Sequence, residues 1–159
     1  MAECKNIMVY VETAEGNPVK VGLEMLSPAK KLADKVTAVV IGGGVADAAK
    51  EVSLCPSGRD GGDLEENPEA VFVGGTQDGK DIAPVVAAKC NTGCASDVLD
   101  IKAEDGEVIY TCPLYGGTVL EDVKIKTTPQ IATLRSGAFQ KVEDPTEGEV
   151  VAKEVKVAD

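Results

Sequence analysis

Cys90 and Cys94 stand close together behind a glycine-rich turn in "GGTQDGKDIAPVVAAKCNTGCASDV", residues 74 to 98, and are the first candidates for chemistry in this sequence. A thiolate pair can hold a metal, but a four-thiolate site shows a second close pair, whereas Cys4, Cys55 and Cys112 are scattered. An odd set of five cysteines without an export signal reads as reduced thiols rather than a disulfide framework. Cys90 and Cys94 are then small residues of a core or a helix end. Histidine is absent altogether. Its absence removes a Cys/His zinc site, the usual general base at neutral pH, and the Ser-His-Asp and Cys-His pairs. The carboxylate clusters "DLEE" (63 to 66) and "AED" (103 to 105) lie in polar, turn-like surroundings and read as solvated faces. No catalytic residue and no metal ligand is assigned.

Binding chemistry is better represented. "TQDGKDIAPVVAAK" offers free N–H groups at a helix start with Lys80 beside them, an arrangement able to hold an anion at the mouth of a parallel sheet. Asp81 is placed to cap that helix and Pro84 to sit in its first turn, so the stretch reads foremost as a strand-to-helix connection. Gly42, Gly43 and Gly44 invite a dinucleotide fingerprint, yet the third glycine of G-x-G-x-x-G would fall on Asp47. Arg135, one of two arginines, ends a β-rich segment where its fork could meet a partner carboxylate or a phosphate. Gly116, Gly117 and Thr118 suggest a bulge or close backbone approach at a subunit or domain contact.

The chain that must position these groups has 159 residues, 43% hydrophobic and 27% charged, which predicts one domain with an aliphatic core, since Trp is absent. A net charge of -11 argues against a nucleic-acid partner, which needs clustered Lys and Arg. No apolar run approaches the roughly 20 residues that span a bilayer, and the N-terminus lacks a signal layout; a cytoplasmic protein without membrane insertion is expected.

Along the chain, "NIMVYVE" reads as a strand, "TAEGNP" as a loop, and residues 21 to 35 as a helix despite Pro28. "VTAVVIGGG" is a strand of the buried parallel type, followed by a helix in "VADAAKEV". Residues 55 to 68, "CPSGRDGGDLEENP", form a loop or linker. "EAVFVGG" and "KDIAPVVAAK" then supply another strand and helix. From about residue 95 the pattern becomes a series of strands, "SDVLDIKAE", "EVIYTCP", "TVLEDVKIK", "QIATLR" and "EVVAKEVKV", with a tight hairpin at Asp105-Gly106. The fold class is α/β, Rossmann-like and three-layered, with parallel strands in the first half and antiparallel strands in the second.

Several of these segments, in order, resemble the electron transfer flavoprotein alpha subunit. The family's Gly-Arg-Asp-Leu-Ala-Pro-x-Val-Ala helix start matches residues 79 to 87. Its threonine-glycine turn before an aspartate matches 92 to 97, its aromatic-Gly-Gly stretch 115 to 117, and its Pro-Gln-x-Ala-Thr-x-Arg-x-Gly-x-Phe strand 129 to 139. "NIMVYVE", "AKKLADKVTAVVIG" and "AAKEV" look like the family's first two strand-helix units. Lys80 stands where the family has arginine and Thr118 where asparagine is common; both keep polarity but change hydrogen-bond geometry.

The resemblance implies an electron carrier subunit rather than an enzyme. Residues 1–142 would be the Rossmann-like N-terminal domain and 143–159 a linker and terminal strand. Residues 52–68 would replace a family strand and helix, and the C-terminal FAD-binding domain is not within this chain. It implies a beta subunit that packs on this domain and holds AMP or a second FAD. It also implies electron passage through FAD between an acyl-CoA dehydrogenase, or another flavin dehydrogenase, and an acceptor. Lys80, Gly116, Gly117, Thr118 and Arg135 are the expected partner-interface residues, with no cofactor-binding residue assigned. The alternatives are a stand-alone adenine-nucleotide-binding α/β module and an interaction domain.

Overall fold

β1 (Cys4–Val11) carries its buried residues at alternate positions, Ile7, Val9 and Val11, because successive side chains of a strand point to opposite faces. The computed structural model describes residues 4–42, 67–141 and 150–151. After β1 the expected loop is a miniature hairpin, β2 (Thr13–Ala14) and β3 (Asn17–Pro18), turned by Glu15 and Gly16, both at positive φ. It delivers the chain to α1 (Lys20–Leu32).

α1 buries Val21, Leu23, Met25, Leu26, Ala29 and Leu32, and Pro28 is accommodated inside it. It ends earlier than its periodicity predicts, because Ala33 is already extended and opens β4 (Ala33–Val40) with no intervening loop. β5 (Ala70–Gly74) leads to α2 (Gln77–Lys89), then β6 (Cys94–Val98). β7 (Asp100–Glu104), β8 (Glu107–Leu114) and β9 (Val119–Val123) follow, and β10 (Gln130–Leu134) closes the series.

The fold is α/β with a parallel five-stranded sheet in the order β4-β1-β5-β10-β6 and a separate antiparallel sheet, β7-β8-β9. The second half divides more finely than its strand patterns suggest. "SDVLDIKAE" is two strands that part at Leu99, β6 staying in the parallel sheet and β7 entering the antiparallel one. "QIATLR" also returns to the parallel sheet, where β10 inserts between β5 and β6. That central place explains its unbroken burial from Ile131 to Leu134, since a strand covered on both faces has no solvent side.

One face of the parallel sheet packs against α1 and the inner side of the antiparallel sheet, in a core joining Ile7, Val9, Leu26, Phe72, Tyr110 and Leu134. Phe72 and Tyr110 meet edge to face with ring centroids 6.4 Å apart. The opposite face joins Val73 and Ile131 to Ala83 and Ala87 of α2. The Asp105-Gly106 hairpin is present, both residues at positive φ as a tight two-residue turn requires. The helix expected in "VADAAKEV", the loop with Arg59 and Asp60, and all but Val150 and Val151 of the final strand lie outside the described residues.

Candidate functional site at the carboxyl end of the parallel sheet

In an open α/β sheet, ligands are taken in the crevice beyond the carboxyl ends of the strands. Here that end gathers Glu12 after β1, the Gly74-Gly75-Thr76 turn after β5, Asp97 near the end of β6 and Arg135 after β10. The start of α2 is set by Thr76, whose hydroxyl oxygen accepts the Gly79 N–H at 3.0 Å and donates to Glu12 Oε1 at 2.6 Å. Thr76 is therefore the cap, and Asp81 lies inside the helix. Pro84 also lies beyond the first turn, within the helix on an exposed flank, where it lacks the N–H that would bond back to the Lys80 carbonyl. The earlier start arises because a threonine hydroxyl on extended backbone satisfies an orphan N–H three residues on, which a carboxylate in mid-helix cannot do.

Gly79 lets α2 approach β5. A Cβ on it would fall 1.9 Å from the Gly74 carbonyl oxygen and 3.1 Å from Glu12 Oε1. Gly75 donates its N–H to the Leu134 carbonyl at 2.7 Å, which locks the turn against the end of β10.

β6 carries a bulge at this end. Ala132 faces Ala95 and Leu134 faces Val98, so Ser96 and Asp97 together oppose Thr133. Asp97 takes φ 61, and its N–H is held by the Thr133 hydroxyl at 2.8 Å. The bulge turns the Asp97 carboxylate towards Arg135, which grips it in a two-pronged fork: Nε donates to Oδ1 at 3.0 Å and the second nitrogen to Oδ2. The Arg135 hydrogen bond, and after it the charges of Arg135 and Lys80, hold the Asp97 carboxyl below its ordinary value against the opposing effect of burial. The backbone after Arg135 is tied as well, since buried Glu24 of α1 accepts the Gly137 N–H at 2.8 Å while its other oxygen meets Lys20 at 3.2 Å.

The structure thus brings Lys80 and Arg135 to the same end of the parallel sheet, with the Arg135 fork directed at the chain's own Asp97. Gly116, Gly117 and Thr118 lie elsewhere, at the tip of the β8–β9 hairpin. They form an exposed turn, and among the described residues nothing lies within 4 Å of where a Cβ on either glycine would stand. Asp97, Glu12, Glu24 and Thr76 went unassigned in the sequence because only the fold brings them to their partners. Cys90 ends α2 on the surface and Cys94 opens β6 half-buried, while Cys4 and Cys112 are buried. Among the described residues no cluster of three or more carboxylates and thiols is placed to hold a metal, and no helix is long and apolar enough to cross a membrane.

Comparison with known proteins agrees with the motifs. Residues 64–159 match the electron transfer flavoprotein domain family. The chain is 32% identical to Protein FixB of Clostridium saccharobutylicum, over 89% of this chain and 51% of that protein. It is 31% identical to the electron transfer flavoprotein subunit alpha of Clostridium acetobutylicum, over 89% of this chain and 50% of the relative. The subunit alpha of Megasphaera elsdenii is 30% identical over 189 residues, taking in all of this chain and 56% of the relative. The chain spans about half the length of these curated relatives. It belongs to the electron transfer flavoprotein family, on the side of the alpha subunits and FixB proteins.

Proposed function

We propose that this chain is the scaffold half of an electron transfer flavoprotein alpha subunit. Residues 1–142 form its Rossmann-like N-terminal domain and 143–159 a linker and terminal strand. The domain packs on a beta subunit that holds AMP or a second FAD. The working FAD is held mainly by a following domain and passes electrons, in the cytoplasm, between a dehydrogenase of the acyl-CoA dehydrogenase type, or another flavin dehydrogenase, and an acceptor. Lys80 acts as a partner-facing cation at the sheet end, Arg135 shapes the same contact from its pair with Asp97, and Gly116, Gly117 and Thr118 form a second contact.

One observation carries this reading. At the carboxyl end of the parallel sheet four charged groups are already committed to protein partners, Glu12 to Thr76, Glu24 to Gly137 and Lys20, and Asp97 and Arg135 to each other. Such a mouth serves as a rigid joint. Electron transfer of this kind is the cofactor's chemistry, to which protein contributes position and electrostatics. The adenine-nucleotide alternative meets an obstacle at α2, where Glu12 places a carboxylate beside the N-terminal N–H groups that would receive a phosphate. The M. elsdenii relative matches over 189 residues against 159 here, which supports loss of a strand-helix unit; we place it at 52–68.

The test is purification of the polypeptide carrying this chain from its source, with mass spectrometry of its companions and a visible spectrum. A beta subunit with bound flavin is the expected result. A lone colourless protein would refute the subunit reading, and tight ATP or AMP binding by it would turn the assignment to the nucleotide module.

A further inference from the structure

The β8–β9 hairpin ends in eight uncharged residues, "PLYGGTVL" at 113–120, in a chain of which 27% is charged. At their centre Tyr115 is 84% exposed, and Leu114, Val119 and Leu120 are exposed around it. A monomer seldom displays large apolar side chains as a cluster unless something covers them.

The backbone adds an independent observation. Tyr115, Gly116 and Gly117 take φ values of 51, 68 and 93 in succession. Glycine adopts this region freely, whereas a bulky aromatic does so at a cost and marks a position worth a functional hypothesis. Among the described residues no tertiary contact repays it, for the Tyr115 ring stands in solvent. The two glycines beside it leave the peptide planes bare, with open space on every side a Cβ would take. A partner can therefore reach both the ring and the backbone.

The surroundings state the chemistry of that partner. On the strands that lead to the tip, Glu121 and Asp122 of β9 are exposed, and Asp100 of β7 is exposed opposite Thr111 of β8. Among the described residues the one cation paired with these carboxylates is Lys102, 3.9 Å from Asp122, which also accepts the Thr111 hydroxyl at 2.7 Å. An apolar tip on an acidic stem fits an apolar pocket with a basic rim.

We infer that Tyr115 is the anchor of the subunit interface, inserting with Leu114, Val119 and Leu120 into an apolar pocket of the beta subunit whose rim carries lysine or arginine. This rests on the alpha-subunit reading above, and adds to it the surface used and the chemistry opposite. Rigid aromatic anchors flanked by smaller apolar groups carry most of the affinity of such contacts.

The experiment measures affinity between the full polypeptide and the beta subunit of the same source, comparing wild type with Tyr115→Asn, Tyr115→Phe and Glu121→Lys. Asparagine tolerates positive φ, so Tyr115→Asn removes the ring without burdening the fold. It is expected to weaken binding about 30-fold while the unfolding midpoint holds or rises. Tyr115→Phe should stay within about twofold, and Glu121→Lys should slow association at low salt. Wild-type binding with an unaffected Tyr115→Asn would overturn the anchor and leave the subunit reading intact. Failure of the wild type to bind would overturn both.

Discussion

Arg135 and Asp97, 38 positions apart, are joined by a two-pronged ion pair that closes β10 onto the bulge of β6. The same bulge is braced from behind by the Thr133 hydroxyl, and Arg135 donates its own N–H to the Val98 carbonyl at 2.9 Å. The left-handed backbone of Asp97 is thus fixed by contacts on both sides.

That pair makes stability depend on acid. Asp97 has its folded pKa lowered below the ordinary 3.8, chiefly by the Arg135 hydrogen bond. A depressed carboxylate adds stability that is fully present above the unfolded value and is lost as pH falls through the folded one. In urea unfolding from pH 7 to pH 2, Asp97→Asn should lie below wild type at neutral pH, and the gap should close below about pH 4. A gap constant across the range would show that the charge of Asp97 contributes nothing.

Thr76→Ala removes the cap of α2 and the donor to Glu12 together. The expected loss is about 1 to 2 kcal/mol by chemical denaturation, with Thr76→Ser recovering most of it. Asp81→Ala, within the helix, should change stability by less than about 0.5 kcal/mol.

Gly79→Ala drives a methyl group into the Gly74 carbonyl oxygen, a backbone atom that cannot move aside cheaply. The cost should be about 3 kcal/mol, visible as a lowered urea midpoint, and α2 should lose hydrogen-exchange protection before β10.

The thiols should separate by access. Cys90 is exposed, whereas burial raises the pKa of the Cys94 and Cys112 thiols and Cys4 is buried. Since the thiolate is the reacting form, iodoacetamide at pH 8 should, among the four described thiols, modify Cys90 first and reach Cys4 and Cys112 only after denaturant is added. Rapid native labelling of Cys112 would contradict its burial on the core side of β8.

The sequence alone determined what is local. Short apolar, β-rich runs marked the strands, helical spacing marked α1, and Asp105-Gly106 named its own turn, because these depend on neighbours a few residues away. The ordered motifs likewise placed the chain in its family. The tertiary structure decided which strands are neighbours, since the pattern of "QIATLR" is the same whether it pairs parallel or antiparallel, and only the packing of β5 and β6 on either side sets β10 between them. It also decided that the Arg135 fork is met by Asp97 and that Thr76, not Asp81, caps α2. Both outcomes turn on groups that are distant in the chain or shifted by one helical turn, and hydrogen-bond geometry is settled only when the elements have packed.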